Sequence, residues 1–483
     1  MTSLLLRGGR VIDPRAGLDA IGDVYVVDGR ISGPVSECDT VLDCTGLVVG
    51  PGFVDLHSHV HSIAGHRLQA FDGVTTALDL EAGLFPVSLA YERAAADGRP
   101  LNYGFSASWG GVRGRVLAGV EEDASMLNAI AMLGNPQWQR SSTRAELDRW
   151  IGLLSEELAA GALGIGVLMG YAPQTDPREL VEVGRLAFGA GVPTYTHVRE
   201  IVESDPSTPV DGSSELGLVA AETGAHMHHC HVNSTSRRHI DRVLTSIAGA
   251  QAEGSRVTVE AYPYGAGSTG IGAFFLAPER LHVWGLSPSD ITVVTTGEVI
   301  GSVGRLTELR ASDPGLTVIV RTLDESVPAD LDLLRMSLEF PDAIVASDAM
   351  PVLWGSAFES TQWPLPPGGS THPRTAGTFM KALRMMVLSG SWTWSEAFRR
   401  CSWLPAQVLS FATTSKGHLG VGADADAVVL DPAAVTDVST YTNPTQPSVG
   451  VKHLLVNGTV LIRDGQLDVS ALPGRPLRTH HLP

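Results

Sequence analysis

The sequence predicts an α/β chain: a (β/α)8 barrel carrying a small β domain built from both termini. Three observations predict it. Residues 51 to 410 alternate short apolar, strand-like runs with helical stretches. The two ends, 1–50 and 411–483, read instead as short strands and tight turns. Polar residues suited to chemistry recur where the apolar runs of the middle stop. A doubly wound sheet has the same rhythm, but only a closed barrel brings strand ends from His57 to Asp348 to one mouth.

At the N-terminal end, Leu4–Asp13 and Asp23–Ile31 are apolar runs broken by Gly8-Gly9 and Asp28-Gly29, which read as hairpin signals. The C-terminal end repeats the pattern. Asp426–Asp431 is one strand, and His453–Ile462 is a hairpin around Asn457-Gly458. In the middle, strands are expected at Val74–Leu78, Ala162–Val167, Pro193–Thr196, Val257–Glu260 and Ile344–Ser347. A helix is expected over Thr143–Ala160, opened by a capping box of Thr143 with Glu146.

Composition bounds the function. Of 483 residues, 43% are hydrophobic and 18% charged, the balance of a globular chain rather than a disordered one. The net charge of −18 argues against a nucleic-acid partner. Four cysteines, Cys38, Cys44, Cys230 and Cys401, lack the spacing of a zinc ribbon or a disulfide scaffold. The apolar stretch at the start is shorter than a signal peptide is expected to have, and no uninterrupted apolar run approaches the ~20 residues of a membrane helix. A cytoplasmic protein is expected, acting on a small molecule without membrane or nucleic acid, alone or as a homo-oligomer.

The chemistry centres on Pro51-Gly52-Phe53-Val54-Asp55-Leu56-His57-Ser58-His59. In an extended segment residues i and i+2 share a face, so His57 and His59 point the same way and can grip one transition metal. Glu81, His197, His231 and Asp348 stand at later strand ends. In the run His226-Met227-His228-His229-Cys230-His231, His231 is the expected ligand because it lies furthest along the strand; His229 shares its face and is the alternative. Converging in a barrel, these six residues have the makings of a binuclear metal site. A divalent metal lowers the pKa of bound water toward ~7, and a neighbouring carboxylate, Asp348, can carry the proton to a leaving nitrogen. Hydrolysis of an amide-like bond is the implied reaction.

The Pro-Gly-Phe-Val-Asp-Leu-His-Ser-His stretch with a late Ser347-Asp348 resembles the amidohydrolase superfamily. More closely, the chain resembles the D-aminoacylase (N-acyl-D-amino-acid deacylase) family. The supporting motifs run nearly end to end: Gly73-Val74-Thr75-Thr76, Tyr171-Ala172-Pro173, Tyr262-Pro263-Tyr264, His372-Pro373-Arg374 and Pro473-Gly474-Arg475. The resemblance implies a TIM barrel over 51–410, with a small β-sandwich from 1–50 and 411–483. It also implies a zinc enzyme, with one or two ions, that deacylates N-acyl-D-amino acids.

Two departures qualify that implication. The family's cysteine after the Gly-Val-Thr-Thr strand is missing, and no lysine precedes Lys381 to serve as a carboxylated bridge. Glu81 is the natural substitute, with Asp79 on the same face as runner-up, and a hard oxygen bridge also admits manganese or iron. Where the family places a substrate-holding lysine after the sixth-strand histidine, this chain has Asn233. Tyr171, Arg374 and Arg199 remain as expected substrate contacts, the arginine fork suiting a carboxylate. Three readings follow: a deacylase of N-acyl-D-amino acids or related amides; an amidohydrolase of a cyclic amide, modified peptide or secondary metabolite; and a non-catalytic scaffold, which the complete ligand set disfavours.

Overall fold

The computed structural model describes residues 2–121, 123–354 and 361–479. Its central element is a sheet of eight short strands: β1 (Phe53–Asp55), β2 (Val74–Leu84), β3 (Asn102–Ser108), β4 (Ile165–Leu168), β5 (Thr194–His197), β6 (Met227–His229), β7 (Val257–Ala261) and β8 (Ile344–Val345). They follow one another in chain order, the arrangement of a parallel (β/α)8 barrel. Nearly every residue in these strands is buried, which explains why they read as continuous rather than alternating apolar runs. The ends of the sheet approach each other through a parallel bridge between Ser58 and Ala349, where the His59 amide donates to the Ala349 carbonyl at 2.8 Å.

The chain divides into two compact units. The first comprises Met1–Leu78, Ala94–Gly104 and Ile344–Leu477. Within it a nine-stranded sheet joins strands from both ends of the chain, between Ser3–Asp13 and Gln466–Leu467. Strand Val48–Pro51 pairs antiparallel with Ala427–Leu430, so the two termini meet in one sheet. Two of the sequence's turns form as expected. Asp28-Gly29 and Asn457-Gly458 both take left-handed backbone, the conformation a two-residue hairpin needs. Gly8-Gly9 does not turn the chain. Ser3–Asp13 is one continuous strand whose register slips between Leu6 and Gly9, so the glycines make a β-bulge.

The second unit comprises Asp79–Arg93, Phe105–Ala343 and Arg478–Pro483. It contains the helix Arg144–Ala159, with Thr143 and Glu146 forming the expected reciprocal capping box. It also carries an antiparallel three-stranded sheet of Ala266–Gly270, Thr317–Arg321 and Ile291–Val293. Strand β2 runs three residues past Glu81, further than the apolar run Val74–Leu78 indicates, because Asp79 and Glu81 are buried along with their neighbours.

Candidate metal centre

Each unit gathers one set of metal-type donors. In the first, β1 ends at Asp55, and His57 and His59 follow on one face of the extended segment. Their Nε2 atoms lie 3.1 Å apart, and both face Asp348 Oδ1, at 3.5 and 3.7 Å. Two imidazole nitrogens and one carboxylate oxygen, all buried, therefore converge on one point. Arg374, fully buried, brings Nη2 to 2.8 Å from the same Asp348 oxygen.

Asp348 reaches this position through a left-handed backbone, φ 51°, a conformation that costs a non-glycine residue about 1 kcal/mol or more. Asp55 secures the turn. Its carboxylate accepts from the Ser347 amide at 3.0 Å, the His57 amide at 3.2 Å and Gln69 Nε2 at 2.9 Å, and also from the Ser347 hydroxyl. Burial pushes the Asp55 carboxyl up to about 6, against hydrogen bonds from Ser347 and His57 that favour its charged form. Sequence reasoning passed over Asp55, although it stands two residues before the first histidine.

In the second unit, His231 Nε2 lies 2.7 Å and His197 Nδ1 3.1 Å from the same oxygen of Glu81. The two rings are edge to face, 4.6 Å between centroids. Glu81 supplies the shared oxygen, and the Asp79 carboxylate accepts from the Gly83 amide at 3.2 Å at the end of β2. His231, like Asp348, lies beyond its strand with left-handed backbone. His229 is turned to Thr235, 3.1 Å away, and burial holds it neutral, its pKa lowered to about 3. Of the two histidines, His231 is the one whose ring meets Glu81.

The expected substrate contacts fall in different places. The Tyr171 ring packs on His197 with centroids 4.6 Å apart, while its hydroxyl meets Thr269 Oγ1 at 3.0 Å. Asn233 is tied to main chain: its carbonyl accepts from the Tyr262 amide and its amide donates to the Tyr264 carbonyl. Arg199, expected at the substrate, is buried. It donates to Glu215 through Nε and Nη2, both at 2.9 Å, and through Nη1 to the carbonyls of Pro173 and Thr175. Its charge is balanced within the fold by Glu215. Among the described residues, no helix is long and apolar enough to cross a membrane.

No family model matches the chain. It is 27% identical to a D-aminoacylase from Alcaligenes xylosoxydans xylosoxydans, over 94% of this chain and 93% of that one. Its fold superimposes with a TM-score of 0.76 on a crystal structure of D-aminoacylase described as defining a novel subset of amidohydrolases, at 23% identity over 98% of this chain and 99% of the other. A second solved structure is similar at a TM-score of 0.72 and 24% identity, with the same coverage: an N-acyl-D-glutamate deacylase from Bordetella bronchiseptica, complexed with zinc and a phosphonate inhibitor that mimics the tetrahedral intermediate. The chain is a homologue of the D-aminoacylases, built on the amidohydrolase fold.

Proposed function

We propose that this protein is a metal-dependent hydrolase of amide C–N bonds that deacylates N-acyl-D-amino acids or closely related amides. One observation carries the reading: two buried sets, His57–His59–Asp348 and Glu81–His197–His231, each direct two imidazole nitrogens at one carboxylate oxygen. Imidazole and carboxylate donors in threes suit zinc, and their oxygen content also admits manganese or iron. A divalent ion held there supplies a Lewis acid for the amide carbonyl and water made acidic enough to ionise near neutral pH. The protein's own part is positioning and proton transfer. Asp348 takes the proton from the attacking water and delivers it to the departing nitrogen. Arg374, 2.8 Å from Asp348, holds that carboxylate, and in this reading its planar fork also serves the substrate's carboxylate. Tyr171 and Asn233 shape the remaining contacts.

The catalytic barrel in this reading spans 51–410, and 1–50 with 411–483 form the small domain. The substrate is a small molecule, and the acidic net charge and scattered cysteines suit a cytoplasmic enzyme without a nucleic-acid or membrane partner. A second reading, hydrolysis of a cyclic amide or a modified peptide, is favoured by Asn233, which places a neutral amide where the resemblance leads one to expect a lysine. Elemental analysis of the purified protein, followed by a panel of N-acetyl-D-amino acids, tests both. Bound metal with release of free amino acid supports the deacylase. Bound metal without turnover on the panel favours the second reading, and protein that takes up no metal refutes both.

A further inference from the structure

The histidine-rich run 226–231 contains more imidazoles than a metal set uses, and two of them, His226 and His228, join a structure of their own. Strand β6 stops at His229, and His231 follows with φ 35° and ψ 58°. This bend turns the ring toward Glu81, but it takes the His231 amide out of the strand ladder. Buried, that N–H needs an acceptor. Glu260, near the end of neighbouring β7, provides one: Oε1 lies 3.3 Å from the His231 amide. The other oxygen, Oε2, meets His228 Nε2 at 3.0 Å. Glu260 and His228 are buried, at 1% and 0% exposure.

The His228 ring is held in turn. Its Nδ1 lies 2.8 Å from Thr258 Oγ1, and the same hydroxyl lies 2.9 Å from His226 Nε2. One hydroxyl has one proton, so with neutral rings the pattern has a consistent direction. His226 Nε2–H donates to Thr258, the Thr258 hydroxyl donates to His228 Nδ1, and His228 Nε2–H donates to Glu260. Burial supports the neutral form of His226, lowering its pKa to about 3.

We propose that Glu260 and His228 form a positioning pair for His231, fixing its left-handed backbone so that its ring is presented to the metal. The inference rests on His231 being a metal ligand. It assigns two further histidines of the run, His226 and His228, to the support of His231. Neither Glu260 nor His228 is a catalytic residue: Glu260 grips the main chain of the ligand, and His228 grips Glu260.

Zinc affinity tests the pair independently of turnover. Wild-type protein and variants are stripped of metal and titrated with zinc against a chromophoric chelator, with thermal melts and kcat and KM measured on the same samples. Removing a group that orients a ligand costs about 10- to 100-fold in metal affinity, and that loss is expected for Glu260→Ala. Its kcat should recover at saturating zinc while KM stays near wild type. Glu260→Gln keeps a carbonyl for the His231 amide and tolerates the reversed hydrogen-bond direction, so its affinity should stay within a few-fold of wild type. A folded Glu260→Ala protein with wild-type zinc affinity overturns the proposal, as does Glu260→Gln losing as much as alanine. If Glu260→Ala does not fold, His228→Gln carries the test, and wild-type affinity in that folded variant refutes the pair. Wild-type protein that takes up no zinc removes the reading of His231 as a ligand, and this proposal with it.

Discussion

Replacing Arg199 by alanine should damage stability and spare substrate recognition. The guanidinium is 1% exposed and makes four donor contacts, two to Glu215 and two to the carbonyls of Pro173 and Thr175. Glu215 is itself 3% exposed, and burial already raises its pKa against the opposing pull of Arg199. Truncation therefore leaves a carboxylate without its main countercharge and two carbonyls without a donor. Breaking a buried pair on one side costs about 3–5 kcal/mol. Equilibrium denaturation should show the loss as a lower midpoint, while KM for the preferred amide, measured at a temperature where the variant stays folded, should remain near wild type. A loss below about 1 kcal/mol, the range of an exposed pair, together with a tenfold rise in KM, would refute the reasoning and return Arg199 to the substrate.

Three further outcomes follow from the same geometry. Asp348→Asn removes the proton carrier, and turnover should fall by about 10²- to 10⁴-fold while elemental analysis still finds metal; retained turnover would exclude Asp348 from proton transfer. Glu81→Ala deletes the oxygen shared by His197 and His231, so metal per chain should drop, and unchanged content would exclude Glu81 as a ligand. Glu146, hydrogen-bonded by Arg140 and by the Thr143 amide, has its pKa lowered from 4.5 to about 2. A lowered carboxylate pKa stabilises the fold above pH 4.5 and loses that contribution as pH falls toward 2. Glu146→Gln should flatten the pH dependence of the melting temperature in that window, and Thr143→Ala should cost about 1 kcal/mol at neutral pH; an unchanged acid limb would show that the capping box contributes nothing there.

Local pattern was enough to recognise much of this protein. The alternation of strand and helix, the capping box at Thr143 and the i, i+2 placement of His57 and His59 depend on backbone periodicity, which neighbouring residues express by themselves. Asp28-Gly29 and Asn457-Gly458 were legible as turns because left-handed backbone has few tolerant residues. Other features depended on partners far away in the chain. Gly8-Gly9 became a bulge because the strand had a partner to pair with on both sides of it. Arg199 found its ion-pair partner in Glu215, buried beside it on a following helix. The bend that turns His231 toward Glu81, 150 residues away, is one that no spacing rule encodes. Residue type and period determine which side chains are able to bind a metal. Which of them do, and which are neutralised inside the fold, depends on burial and on the nearest opposite charge, and those exist only once the chain has closed on itself.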